Sequence, residues 1–164
     1  MLKKFSVLVK SHLMINFQKK TKKILVIGDL IIDQYLWGET NSISPEAPVP
    51  IINVEKDSLL LGGAGNVIHN LKSLGAEADI ISVIGNCEIS TKAKELLNNI
   101  NVDTKFLVLE KNRITSKKTR VISSQQQVIR FDHEITKNIN KTSEDLILKT
   151  YKKIIHNYSC LLLS

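Results

Sequence analysis

The sequence has few cysteines and no long apolar run, and each scarcity bears on the class of protein. Only two cysteines occur among the 164 residues, Cys87 and Cys160, far apart and without a partner motif. This argues against a disulfide framework or a cysteine zinc site, suits a reducing cytoplasm, and leads us to expect two buried structural thiols. No apolar run approaches the ~20 residues that cross a bilayer, so we expect a cytoplasmic protein with no membrane partner.

Acidic residues are missing from the first 23 positions, which hold seven lysines. In residues 24–164 the remaining 16 basic and 16 acidic residues balance, although the whole chain has a formal net charge of +7. A neutral body offers no basic face for nucleic acid. We therefore interpret 1–23 as a solvated basic extension. The alternatives are a start at Met14 or a targeting peptide. A targeting peptide is disfavoured because the extension has no arginine and no small-residue cleavage site after an apolar core.

Strand and helix patterns alternate from Ile24 onward. Short apolar runs predict buried parallel strands, and apolar residues at helical spacing predict helices between them. The expected strands are 24–27, 78–84, 106–109 and 160–163. Three helices are expected: one begins after Gly63, one has Ser90 or Thr91 as its N-cap, and one begins at a capping box in Thr142–Asp145. This order predicts a doubly wound α/β sheet.

Two stretches, about 34–60 and 111–133, interrupt the alternation. Both are strand-like but too polar for a sheet buried on both faces, so we expect them to form a small β lid beside the main sheet. Around the start of the first, Leu30–Trp37 is expected to continue the first strand and the proline-containing 38–50 to be loop or edge strand.

Because the chain closes on an apolar strand with no helix after it, we expect a fragment of a longer protein.

Three segments carry residues suited to binding. Asp33 lies just past the carboxyl end of the first strand, where α/β sheets bind ligands, and can accept hydrogen bonds from two sugar hydroxyls; a solvated loop acid is the alternative. Gly62-Gly63 opens a helix that carries Asn66, so backbone and amide can approach a ligand; a tight turn is the alternative. The cluster matches neither a Walker A loop nor a dinucleotide fingerprint.

The third segment, Lys117–Asp132, holds two arginines ten residues apart and three consecutive glutamines. Arg120 and Arg130 are expected to converge from the two arms of a hairpin and to grip a phosphate, with Gln127 suited to hydroxyls. A neutral sugar would leave two guanidiniums without partners, so an anionic ligand is expected. The alternative is an exposed polar β-ribbon. The four histidines are scattered, and no metal site is expected.

Together these motifs resemble those of the ribokinase-like (PfkB-type) carbohydrate kinases. Two segments are specific within that family, Ile43–Pro50 and the combination of Lys118–Val121 with Gln126-Gln127 and Arg130–Asp132. Both are similar to the kinase domain of the bacterial heptose 7-phosphate kinases, often the first half of a bifunctional kinase/adenylyltransferase. The resemblance covers about 24–164 as the N-terminal part of a kinase domain and none of the leader.

The resemblance implies a three-layer α/β/α sandwich with a mostly parallel sheet and a small β lid, here truncated. Such enzymes use Mg-ATP to phosphorylate D-glycero-β-D-manno-heptose 7-phosphate at the anomeric hydroxyl, for lipopolysaccharide core synthesis, and often pair as homodimers through the lid. By position, the substrate-binding residues are Asp33, Gly62, Gly63, Asn66, Arg120, Gln127 and Arg130.

The sequence also departs from this pattern. The family's catalytic aspartate belongs to a downstream Gly-Ala-Gly-Asp motif, whereas Gly63-Ala64-Gly65 is followed here by Asn66. We therefore assign no catalytic residue, expect ATP and Mg²⁺ only in a complete enzyme, and expect this chain alone to be inactive. Ser42, Gly65 and Ser124-Gln125 differ from the family's usual residues. Two alternatives stay open: a kinase of another sugar, and a non-catalytic remnant that binds sugar or a partner.

Overall fold

The computed structural model describes residues 23–164, so the expectations for the basic extension concern residues 1–22, outside the described part. In chain order the elements are β1 Lys23–Ile27, β2 Leu30–Ile43, β3 Pro50–Gly63, α1 Ala64–Ser73, β4 Glu77–Ile84, α2 Glu88–Asn99, β5 Leu107–Leu109, β6 Ser116–Ser123, β7 Gln126–His133, α3 Lys141–Ile154, a short 3₁₀ helix Ile155–Asn157, and β8 Cys160–Leu163. None of these helices is long and apolar enough to cross a bilayer.

The main sheet has four parallel strands in the order β5-β4-β1-β8. Successive side chains of β1 and β4 point to opposite faces. Val26 and Ile80 enter a core with α1 and α2, whereas Leu25 and Ile81 pack with Ile154 of α3 on the other face. Burying each aliphatic side chain stabilises the fold by ~1.5–3 kcal/mol. The expected layers, helices on both faces of a parallel sheet, are confirmed.

A second four-stranded sheet, the lid sheet, has the order β3-β2-β6-β7. Two antiparallel hairpins, β2–β3 and β6–β7, are joined by a parallel pairing of β2 with β6. Segments 34–60 and 111–133 supply most of it. The β2–β3 pair has bulges at Trp37/Gly38 and Thr40/Ser42, which bend the outer part of the hairpin.

The expectation that Leu30–Trp37 continues the first strand is wrong. The chain leaves the main sheet at Gly28-Asp29, and the Leu30 N–H donates to Ser82 Oγ at 3.0 Å. β2 then runs as a separate strand of the lid sheet to Ile43, so the segment expected to be loop or edge strand divides into strand at 38–43 and loop at 44–49. β3 is an edge strand, and Pro50 is its first residue, where no ladder bond from its nitrogen is needed.

The helix caps and the thiols also differ from expectation. Cys87, not Ser90 or Thr91, is at the N-cap of α2, while the Ser90 hydroxyl donates to Gly85 O at 2.5 Å. The cap of α3 is Asn140, whose Oδ1 accepts the Ser143 N–H at 2.8 Å. Cys87 is half-buried, and Cys160 is exposed because β8 is at the edge of the main sheet. Neither is the buried thiol that was expected.

Candidate functional site

Charged side chains gather on one face of the lid sheet. The strand register sets Asp33 opposite Lys118 and Lys118 opposite Asp132; in the next row Tyr35 is opposite Arg120 and Arg120 opposite Arg130. Residues directly opposite one another share a face. We call this surface the Asp33 face, and its members are Asp33, Tyr35, Trp37, Gly62, Lys118, Arg120, Arg130 and Asp132.

Asp33 and Arg120 form an ion pair at the centre of this face. Arg120 donates from a terminal guanidinium nitrogen to Asp33 Oδ1 at 2.5 Å, and both side chains are only about one-fifth exposed. The hydrogen bond that Arg120 donates to the Asp33 carboxylate raises the pKa of Arg120. The guanidinium carbon also lies 5.3 Å from the centre of the Tyr35 ring, a cation–π distance. Asp33 therefore offers a ligand mainly its second oxygen while this pair is intact.

Each predicted phosphate-binding arginine has a carboxylate partner. Arg130 donates from Nε and a terminal nitrogen to Asp132 at 3.0 and 2.9 Å. The expectation that a neutral sugar would leave these guanidiniums unpaired is therefore wrong. The two arginines do come from the two arms of one hairpin, directly opposite each other. Convergence was predictable from their spacing. The two acids that neutralise them were missed: Asp33 lies on β2, and Asp132 lies two residues after Arg130 on β7.

Two glycines bring the backbone close to Asp33. A Cβ on Gly62 would lie 2.4 Å from Asp33 Oδ2, and one on Gly63 would lie 2.3 Å from the Asp29 carbonyl oxygen. Gly63 also has a positive φ of 54°, which disfavours any side chain. The same Asp29 oxygen accepts the first N–H of α1, from Ala64, at 2.9 Å. The glycines thus allow α1 to begin against the strand that carries Asp33.

A cavity of about 300 Å³ opens between the Asp33 face and α1. It is lined by Asp33, Tyr35, Leu60, Leu61, Asn66 and His69. The predicted pair Asp33 and Asn66 is therefore brought to one cavity. Tyr35 and His69 were missed: each is on the same side as a predicted residue, Tyr35 two positions after Asp33 in a strand and His69 three positions after Asn66 in a helix.

The Tyr35 ring is held by its neighbours. It stacks on Trp37 with centroids 5.6 Å apart, and Lys56 in turn lies 5.1 Å from the centre of the Trp37 ring. With Arg120 against it as well, the ring has a fixed position, and its hydroxyl is the part left for polar contact with a ligand. Among residues 23–164, no side chain or backbone group hydrogen-bonds to that hydroxyl.

Gln127 is not brought to this cavity. It lies opposite Ile122, four residues along β6 from Lys118, which places it ~13 Å farther out along the lid. It is exposed and lines neither cavity. Gln125 lies in the turn between β6 and β7 with a φ of 64°. The run of three glutamines is thus divided between turn and strand.

A larger cavity of about 790 Å³ is lined by Asp29, Lys118 and the 134–139 segment. Arg113 anchors that segment by donating to the carbonyl oxygens of Ile135 and Lys137 at 3.3 and 3.1 Å. Glu110 accepts the Asn140 N–H at 3.1 Å. Burial opposes ionisation of Glu110, but hydrogen bonds from Ser143 and Asn140 and the charge of Arg113 together lower its pKa.

Comparison with known proteins gives the same fold and a family. Residues 21–161 match the pfkB family carbohydrate kinases. The chain is 52% identical over 145 residues, 88% of its length, to "Bifunctional protein HldE" of Aliarcobacter butzleri (strain RM4018), and 46% identical over 144 residues to the protein of that name from Sulfurimonas denitrificans. The chain spans about 30% of the length of these curated relatives.

Solved structures of sugar kinases have a similar fold. A carbohydrate kinase from Agrobacterium tumefaciens has a TM-score of 0.65 and 25% identity, over 87% of this chain and 45% of its own. Arabidopsis thaliana ribokinase complexed with ribose and ATP has a TM-score of 0.59 at 15% identity, over 87% and 45% of the two chains. With a family match across most of its length and a ribokinase-like fold, this chain belongs to the pfkB family of carbohydrate kinases.

Proposed function

We propose that this chain is the sugar-binding part of an ATP-dependent kinase that phosphorylates D-glycero-β-D-manno-heptose 7-phosphate at its anomeric hydroxyl. One observation carries the proposal: Asp33 and Asn66 line a single cavity beside the cationic groups of the lid, in a chain that belongs to a carbohydrate kinase family. The 52% identity to a protein named bifunctional HldE supports a heptose as the sugar.

The cavity has the chemistry for a polyhydroxylated ligand. The free oxygen of Asp33 accepts hydroxyl protons, the Asn66 amide both donates and accepts, and Leu60 and Leu61 offer apolar surface to the sugar's C–H groups. Gly62 and Gly63 do not line the cavity themselves; they pack against Asp33 and Asp29, where a side chain would not fit. The lid cations Lys118, Arg120 and Arg130 occupy two adjacent rows on the same face and suit a phosphorylated sugar, although each has a carboxylate partner.

The described residues do not fit the nucleotide and metal. No group of three or more His, Cys, Asp or Glu side chains in residues 23–164 is placed to hold a metal ion. The first N–H of α1 is already bonded to the Asp29 carbonyl, and the glycine-rich junction of β3 and α1, Gly62–Gly65, is not followed by the Lys-Ser/Thr of a Walker A loop. We therefore assign no step through ATP or Mg²⁺, and no general base, to these residues, and limit their role to holding the acceptor sugar.

The test is calorimetry of the 164-residue chain with heptose 7-phosphate, unphosphorylated heptose and ribose. Heptose 7-phosphate should bind most tightly, and Asp33→Asn or Arg120→Ala should each weaken binding by roughly 1.5–3 kcal/mol, the range for charge-assisted hydrogen bonds. Lys105→Ala, which removes an exposed cation outside the lid, is the control. Equal affinity for all three sugars, or silent substitutions at Asp33 and Arg120, would contradict the proposal.

A further inference from the structure

One carboxylate of the lid is bound as a phosphate would be. The Asp132 carboxylate accepts two hydrogen bonds from Arg130, at 3.0 and 2.9 Å, and a third from Lys118 Nζ at 2.9 Å. The hydrogen bonds from Arg130 and then Lys118 lower the pKa of Asp132. A two-pronged guanidinium with an ammonium beside it is the donor set that proteins use for phosphate oxygens.

A ligand can reach this group. The Arg130 side chain is 48% exposed, and Lys118 lines the larger cavity together with Asp29. Arg120, directly opposite Arg130 in the ladder, is engaged by Asp33 on its other side. Lys118 and Arg130 share one carboxylate, Asp132, whereas Arg120 is paired with Asp33. The two donors gathered on one anion are therefore Lys118 and Arg130, not the Arg120–Arg130 pair expected from sequence spacing.

The charges balance only while Asp132 stays in place. The three cations Lys118, Arg120 and Arg130 face the three acids Asp33, Asp132 and Glu134. If Asp132 swings away, Arg130 loses its carboxylate partner and lies opposite the like charge of Arg120, whose own partner, Asp33, is on the far side. An incoming dianion stabilises this state. A neutral sugar brings no such compensation.

We propose that Lys118 and Arg130 form the site for a phosphate monoester and that Asp132 occupies it as an internal competitor, displaced when the ligand binds. The proposal rests on the phosphorylated-sugar substrate proposed above. It makes Asp132 a specificity-determining residue. Only a ligand group with more negative charge than a carboxylate, such as a phosphate dianion, displaces Asp132 from the two cations, so an unphosphorylated sugar gains no affinity from them.

The decisive variant is Asp132→Asn, which keeps the shape and removes the charge. Calorimetry with the 164-residue chain should show heptose 7-phosphate and inorganic phosphate binding roughly two- to fivefold more tightly, the range for releasing an exposed ion pair, with unphosphorylated heptose unchanged. Asp103→Asn, which removes the carboxylate of the exposed Lys105 pair, is the matched control and should leave all affinities unchanged. Unchanged or weakened phosphate binding by Asp132→Asn overturns the proposal.

Two further arms separate this inference from the proposed function. If heptose 7-phosphate does not bind the wild-type chain but Asp132→Asn binds inorganic phosphate more tightly, the phosphate site is supported and the proposed substrate is contradicted. If heptose 7-phosphate binds and Asp132→Asn has no effect, only the inference falls. Should Asp132→Asn melt at a much lower temperature, Arg130→Gln decides: loss of phosphate binding supports the site, and unchanged binding overturns it.

Discussion

His69 is an exposed residue of α1 that lies in the wall of the Asp33 cavity. Its imidazole can both donate and accept hydrogen bonds, and it is one turn along the helix from Asn66. The two side chains therefore present a continuous polar strip to any ligand that Asp33 holds from the lid. An exposed histidine on the polar side of a helix would ordinarily be only a solvated residue, and the cavity is what gives it a role.

We predict that His69→Ala lowers the affinity for heptose 7-phosphate by ~1 kcal/mol, the usual worth of one hydrogen bond, without changing the melting temperature. Calorimetry measures the affinity, and thermal unfolding measures the melting temperature. His156→Ala is the control, since His156 is equally exposed but lies in the 3₁₀ helix and lines neither cavity. An affinity unchanged by His69→Ala would mean that the ligand does not touch α1 beyond Asn66.

At this scale, prediction from sequence rests on residue types that imply one chemistry. Asp33 and Asn66 were chosen because a carboxylate and an amide suit a sugar's hydroxyls. The structure places both in one cavity, and their role in holding a sugar stays a prediction. The partner of Arg120 was not predictable, because Asp33 lies on a different strand and nothing in the sequence sets β6 beside β2 rather than beside β3. The partner of Arg130, Asp132, lies two residues along the same strand and on the same face, so strand alternation indicated it, but it was missed.

At the scale of elements, the turn between β6 and β7 is built from unfavourable residues. Ser124 and Gln125 both have positive φ, 48° and 64°, the conformation of a type I′ turn, in which Asn-Gly is preferred. A left-handed conformation costs an ordinary residue ~1–2 kcal/mol. The turn is therefore a weak point of the hairpin that carries Arg120 and Arg130.

Replacing this pair by Asn-Gly, as Ser124→Asn with Gln125→Gly, should stabilise the chain by roughly 0.5–1 kcal/mol and raise its melting temperature by ~1–4 °C. Thermal unfolding followed by circular dichroism measures the change. Gln126→Gly is the control, because residue 126 is already in β7 with ordinary strand geometry, and glycine there should lower stability. A lower melting temperature for the double variant would contradict the assigned turn.

Glu110 ties the start of α3 to the loop after β5. Its pKa is lowered in the folded chain, so the stability it contributes is present above the ordinary glutamate value of about 4.3 and is lost as the pH falls through the lower folded value. We predict that the stability difference between wild type and Glu110→Gln is largest near neutral pH and shrinks below about pH 5. Urea unfolding across this range measures it, with the exposed Glu95→Gln as control. A difference that does not depend on pH would show that the charge of Glu110 plays no part.

The elements themselves were predictable to different degrees. Strands β1 and β4 were placed within a residue because parallel strands buried on both faces are mostly apolar, and helix α1 was placed within two residues because its apolar residues recur at helical spacing. The long hairpin β2–β3 was divided wrongly. Its bulges at Trp37/Gly38 and Thr40/Ser42 shift the side-chain alternation, and polar residues on the Asp33 face resemble a loop in sequence. The site is thus carried by the part of the fold that sequence periodicity describes least well.

At the scale of the whole molecule, the lid sheet has a second face whose outer part remains open. Opposite the Asp33 face, the register aligns Thr119 with Phe131 and Val121 with Ile129. Thr119 and Val121 are buried, but Phe131 and Ile129 are each about half exposed, as is Val54 on β3. We call these residues the Thr119 face. Apolar side chains grouped on one exposed sheet face are typical of a protein interface.

The resemblance to kinases that pair through their lids leads us to predict that a second copy of this chain covers the Thr119 face. Phe131→Lys should then shift the chain from dimer to monomer, because two copies of a buried lysine would face each other across a symmetric contact without partners. Sedimentation velocity over a range of concentrations measures the shift, and sugar binding should persist because Phe131 lies on the face opposite Asp33. Leu74→Lys is the matched control: Leu74 is 84% exposed at the end of α1, outside the lid, so its replacement should leave the dimer intact. A wild-type chain that stays monomeric at every concentration, or a Phe131→Lys variant that dimerises as well as wild type, would show that the Thr119 face does not join two copies of this chain.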